Sequence, residues 1–308
     1  MLATRLAHTY SIVARDPKTL EMGVAVQSHY FSVGSIVPWA EPGVGVVATQ
    51  ALVELSYGPL GLELMRKGKT APQALRELLV CDKDSAIRQV AMLDVRGRVA
   101  VHTGKKCIPE AGHLKGANYS VQANMMLGKG VWGSMARGFE MSRGDLAQRM
   151  LSSLEAAEKA GGDIRGKQSA AIVVVAGRRQ GKPWEGRTVD LRVEDHPDPL
   201  GELARLLKLH LAYRHADRGD EAIERKEFRR AEAEYRDASK LAPGNKELTF
   251  WHAVSLVNAG QIGDAMPLFK RVFEEGDNWV ELVPRLSKVG ILLADEPLVR
   301  RIISVGKE

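Results

Sequence analysis

The stretch HTYSIVARDPKTLEMGVAVQS, residues 8–28, decides how the chain is read. TYSIVAR (9–15) has the composition of a strand, and DPKTLE supplies turn chemistry through Pro17 and its polar neighbours. MGVAVQ (22–27) then reads as the returning strand of a hairpin. A threonine stands at the head of this hairpin with eight residues before it. Strand propensity alone accounts for its presence, and chemistry offers a second account.

Outward from the hairpin the pattern repeats. GSIVPWA (34–40) and GVGVVATQA (43–51) are apolar segments, followed by helical spacing over 57–68 and 71–80. A second hairpin joins 88–95 to 98–104 through Arg96-Gly97, and NYSVQANM (118–125) is a further strand. Helices are expected over 131–141 and 145–160, the second stopped by Gly161-Gly162. QSAAIVVVAG (168–177) and RTVDLRVED (187–195) close the series as strands around the surface loop GRRQGKPWEG. Hairpins alternating with paired helices argue for two antiparallel sheets flanked by helix layers, an α+β fold and not a parallel βαβ one.

From Asp198-Pro199 onward the period is helical, with Asp198 placed to cap and Pro199 suited to the first turn. Gly219, Ala231, Tyr235, Ala238 and Pro243 recur 34 residues later as Ala253, Ala265, Phe269, Val272 and Asp277. That period resembles the tetratricopeptide repeat (TPR). The usual early Trp, Leu and Tyr of the first helix are His215, Arg218 and Ala222 here. The expected division is 1–198 for the α+β domain and 199–308 for an all-α, TPR-like domain that recruits a protein partner.

Composition narrows the function classes. No apolar run approaches the ~18 residues that cross a bilayer, and MLATRLAH lacks a secretory apolar core. Cys81 and Cys107 have no CxxC spacing, which points to a cytoplasmic protein without membrane contact. The formal charge is +6, with 26 Lys+Arg against 20 Asp+Glu before residue 200 and 18 against 18 after it. The excess is scattered and not interleaved with aromatics, which argues against nucleic acid and leaves room for an acidic small substrate. His113 and His196 lack HExxH or any helical ligand spacing, so no metal is expected. GKG at 128–130 lacks the GxxxxGK[ST] cradle, so no phosphate-bearing cofactor is expected either. A homo-oligomer is left open.

A neutral hydroxyl attacks an amide poorly and needs a base. A threonine at the first position of a mature chain carries one, its own α-amine, with an ordinary pKa of about 7.7–8.0. Thr9 could act this way once Met1–His8 is removed, with Ser11 on the same strand face as a second candidate. In GGDIRG (161–166), Asp163 and Arg165 either form a helix stop and turn or line a pocket where Arg165 grips a substrate carboxylate. Asn124 either ends its strand or donates to an oxyanion. Ser28, Thr49 and Gln50 sit at ends of predicted strands, where polar side chains face a site or solvent.

TYSIVARDPKTLEMGVAV resembles the opening hairpin of N-terminal-nucleophile (Ntn) hydrolases. TYSIVARDP, GVAVQS, VGSIVPWA, VATQA, YGPLGLELM, HTGKKC, AGH, VQAN, GGDIRGKQSAA and LRVEDHPDPL, in order over the first ~200 residues, are similar to the domain of unknown function 1028 family. Glu110, Ala123 and His29 depart from the residues usual there. The resemblance implies a four-layer αββα sandwich and an amide-bond hydrolase, and it supplies no substrate. With the scattered positive charge, an amidohydrolase for a small, acidic or peptide-like amide is expected. Thr9 is then expected as the autocleaved nucleophile and Asn124 as an oxyanion donor, while strand ends and the GGDIRG loop place Ser28, Thr49, Gln50, Asp163 and Arg165 around the substrate. The rival expectation is a non-catalytic ligand-binding sandwich whose TPR-like tail recruits a protein.

Overall fold

The structure, a computed structural model, describes residues 5–179, 181–182, 185–274 and 276–306. Met1–Thr4 lie outside these, as do Gln180, Pro183 and Trp184 of the expected surface loop. By contacts the chain divides into one unit ending at Leu207 and a second beginning at Lys208.

In the first unit, strands β1 (Arg5–Ala7), β2 (Thr9–Arg15), β3 (Met22–Ser28), β4 (Pro38–Glu41) and β5 (Gly45–Val53) come first. Helices α1 (Tyr57–Arg66) and α2 (Ala71–Cys81) follow, then β6 (Arg88–Asp94), β7 (Val99–Thr103), β8 (Gly112–Gly116) and β9 (Tyr119–Ala123). After α3 (Val131–Met141) and α4 (Leu146–Lys159) come β10 (Ser169–Val175) and β11 (Arg187–Val193). All ladders are antiparallel and form two sheets. One sheet has the order β1-β5-β6-β7, with β4 also on β5; the other runs β11-β10-β3-β2-β9-β8. β4 pairs with Gly45–Ala48 and β1 with Ala51–Val53, so both short strands share β5.

Strand alternation sorts the side chains. Val13, Val24, Val26, Val46, Ala48, Ala171 and Val173 meet in a buried layer between the sheets. Val47, Val90 and Met92, pointing the other way, pack on Tyr57, Leu62 and Leu75 of α1 and α2. α3 and α4 cover the second sheet, where Tyr10 donates to Glu158 of α4 at 2.7 Å. Each buried Val or Leu contributes roughly 1.5–3 kcal/mol. The helix starts follow from caps: Thr70 and Asp145 each accept from the backbone three residues on, and Gln73 and Gln148 answer in return.

Two strands escape the sequence patterns. β8 is polar and exposed at a sheet edge, and β1 has only three residues; each exists because a partner strand supplies the ladder. GSIVPWA is a 3-10 turn (Val33–Ser35) before β4.

The second unit is helical. α5 (Pro199–Glu224) starts at Pro199, where the helical period is expected to begin, and so begins within the first unit. α6 (Phe228–Leu241), α7 (Lys246–Asn258), α8 (Ile262–Phe273), α9 (Asp277–Lys288) and α10 (Glu296–Ser304) complete it. Ala231, Tyr235 and Ala238 of α6 are buried, and so are Ala265, Phe269 and Val272 at the same places on α8. Gly219 lies against the Tyr235 ring, where a Cβ would sit 2.9 Å from ring carbons.

Candidate functional site

One end of the second sheet gathers polar residues. Thr9 opens β2, opposite Ser28 at the end of β3, and Ser28 faces Ser169 at the start of β10. Asn124 follows β9, its backbone N–H donating to the Thr9 carbonyl at 3.1 Å. His8 joins β1 in one sheet to β2 in the other and is buried, as are Thr9, Ser28 and Asn124.

The peptide carbonyl between His8 and Thr9 has two side-chain donors. Ser28 Oγ donates to the His8 oxygen at 2.6 Å, and Arg165 Nη2 donates at 2.8 Å. Arg165 is held by Asp163 through Nε–H to Oδ1 at 3.0 Å and Nη2–H to Oδ2 at 2.7 Å. The Asp163 side chain is fully buried and also receives the His29 and Arg165 backbone N–H groups, so it needs its cation to remain there. The Thr9 hydroxyl donates to the Ala7 carbonyl at 2.7 Å and lies 3.2 Å from Ser28 Oγ. A carbonyl oxygen held by a hydroxyl and a guanidinium is prepared to take negative charge.

Beneath this carbonyl lies a ladder of amides between the sheets. Gln89 Nε2 faces the Ala123 and Gly112 carbonyls at 2.9 and 3.2 Å, oxygens that can only accept. Gln89 Oε1 therefore points the other way and receives Nε2–H from Gln50 at 2.7 Å and Nδ2–H from Asn124 at 2.9 Å. That leaves Asn124 Oδ1 facing His8 Nδ1 at 2.7 Å, so the imidazole must donate from Nδ1. Gln50 Oε1 accepts from Ser11 Oγ at 2.6 Å, which accepts in turn from Gln122 Nε2 at 2.6 Å.

His8 Nε2 is buried without a partner. Burial pushes the imidazole pKa below 6.5 against the Asn124 hydrogen bond, with Arg165 adding to the depression and Asp163 opposing it. Backbone strain accompanies the ladder: Ala51 (φ 71°) follows Gln50 and Met125 (φ 60°) follows Asn124. Each left-handed non-glycine residue costs on the order of 1 kcal/mol.

Thr9, Ser28, Gln50, Asn124, Asp163 and Arg165 are thus brought into one connected set, with Ser11 joined through Gln50. Thr49 is not. Alternation turns it away from Gln50, and its hydroxyl donates to the Glu54 carbonyl at 3.1 Å. His8 and Gln89 belong to the set but carry no sequence motif, and Gln122 lies within VQAN with nothing to single it out; glutamines within apolar strands were the available signal. His113 Nδ1 lies 2.8 Å from Thr103 Oγ1, and His196 Nδ1 accepts from the Asp198 N–H at 3.0 Å. Among the described residues no three His, Cys, Asp or Glu gather as a metal site, and no helix is long and apolar enough to cross a membrane.

The model of a family of unknown function, DUF1028, matches residues 9–203, opening at Thr9. No curated protein matches. Among solved structures, protein SPO2555 from Silicibacter pomeroyi, a DUF1028 protein, is similar at 30% identity with a TM-score of 0.59. The likeness covers 65% of this chain and 88% of that one. With well over half its length matched by the family model, the chain belongs to the DUF1028 family.

Proposed function

We propose that the first unit is an Ntn-type αββα amidohydrolase and that Thr9 becomes its nucleophile by cleaving the His8–Thr9 bond in cis. The observation that carries this reading is the His8 carbonyl, polarised by Ser28 Oγ and Arg165 Nη2 beside the Thr9 hydroxyl. Attack of Thr9 Oγ on that carbon forms an ester and breaks the peptide C–N bond. The hydroxyl proton goes to the departing nitrogen, which becomes the Thr9 α-amine. Water then opens the ester and releases the segment ending at His8. The buried, unpartnered Nε2 supports this direction, because release returns it to water and removes a cost of about 1–3 kcal/mol.

In the mature form the α-amine serves as base and Ser28 with Arg165 holds the oxyanion. Asn124, whose Nδ2 protons face Gln89 and the Thr9 carbonyl, orients the acyl group. The substrate we propose is a small or peptide-like amide. An acidic group on it would meet Arg165 only in competition with Asp163, which already takes the paired contact. The 34-residue spacing between the starts of α6 and α8 supports a TPR-like second unit that binds a protein partner. Free Cys81 and Cys107 support a cytoplasmic setting.

Intact-mass spectrometry of the purified chain tests the reading. Wild type should lack Met1–His8, Thr9→Ala should keep it and show no amidase activity, and Thr9→Ser should retain part of both. Unprocessed wild type without amidase activity would favour a ligand-binding domain.

A further inference from the structure

We infer that the volume filled by the His8 side chain is the acyl subsite of the mature enzyme, selecting a compact side chain with a hydrogen-bond donor at its δ position. This rests on the reading of Thr9 as a self-cleaving nucleophile.

The argument is one of identical intermediates. Attack on the His8 carbonyl joins Thr9 Oγ to that carbon and releases the nitrogen, so the chain passes through an ester between the His8 acyl group and Thr9. Turnover of an amide by the same hydroxyl passes through the same kind of ester. In both, water adds to the carbonyl, the C–Oγ bond breaks, one water proton restores the hydroxyl, and the acyl group leaves as a carboxylic acid. His8 is therefore the first acyl group this site hydrolyses, and its surroundings are those a substrate acyl group meets.

Those surroundings are selective. Asn124 Oδ1 faces His8 as an acceptor and cannot rotate to present its amide, because Gln89 holds the Nδ2 side and is itself held by the Ala123 carbonyl. A side chain without a donor leaves that buried oxygen unpaired. The far end offers nothing to Nε2, so a second polar group gains nothing there. His8 is only 2% exposed, so a long charged side chain would be stripped of water without compensation. Histidine and asparagine both place an N–H at the δ position; leucine matches the bulk and lacks it.

The experiment uses full-length protein. Released and retained Met1–His8 are read by intact mass, and wild type that has released it is assayed on acetyl-Ala-Xaa-7-amido-4-methylcoumarin with Xaa as His, Asn or Leu. The His and Asn substrates should exceed Leu about tenfold in kcat/KM, the effect of one hydrogen bond to a buried acceptor. In parallel, His8→Asn should release its leader within about threefold of the wild-type rate, and His8→Leu about tenfold more slowly. Release of the leader with equal or faster hydrolysis of the Leu substrate, or with none of the three hydrolysed, overturns the subsite and leaves the nucleophile standing. Wild type that never releases Met1–His8 overturns both.

Discussion

Gln89 is the residue on which the polar ladder turns. Its Nε2 answers backbone carbonyls and its Oε1 takes protons from Gln50 and Asn124, so one side chain orients two others. Gln89→Met keeps the volume but leaves both donors without that acceptor in a fully buried position. The first unit should lose about 2–4 kcal/mol, read as a lower midpoint in urea unfolding. Thr49→Val, one residue from Gln50 but on the other face, removes a single bond to the Glu54 carbonyl and should cost about 1 kcal/mol. If the two changes cost the same, the ladder does not act as a connected set. None of this orientation is legible in the sequence. Thr9, Ser28, Gln50, Asn124, Asp163 and Arg165 stand out as residue types at strand ends and in a glycine-rich loop. His8 and Gln89 gain their meaning from a shared partner, Asn124, which lies 116 and 35 positions away.

At the scale of elements, α1 lies close to its sheet because two of its positions are glycine. A Cβ on Gly58 would run into the Trp39 indole, and one on Gly61 would sit 2.8 Å from the Met92 methyl. In an exposed helix Gly→Ala stabilises by about 1 kcal/mol. Gly58→Ala should instead destabilise by about 1–3 kcal/mol, because the indole is fixed by packing and by its N–H bond to the Ile36 carbonyl at 3.0 Å. A raised melting temperature for this variant would contradict the close approach. Elements whose apolar period is their own, such as α3 over 131–141, coincide with the sequence reading. β1 and β8 do not, since a short or polar strand is made by its neighbour.

For the whole molecule, the consequential boundary is in α5. Leu200, Leu203 and Leu207 are buried and lie within the first unit, although the helical period begins at Pro199. A chain ending at residue 198 loses all three, each worth roughly 1.5–3 kcal/mol. It should melt about 10 °C or more below a chain ending at 207, or fail to fold, as circular dichroism would record. Equal melting temperatures would place these leucines outside the first unit's core.

The sequence by itself determined the period of nearly every element, the antiparallel sheets, the change to all-helical structure after residue 198 and the polar and hydroxyl residue types at strand ends. These are local properties, set by alternation, capping and turn chemistry within a few residues. Only the tertiary structure decided that the His8 carbonyl receives Ser28 and Arg165, that Asn124 turns its oxygen to His8, and that Thr49 faces away. Those outcomes depend on register across strands and on which sheet each strand joins. No short window of sequence contains that information.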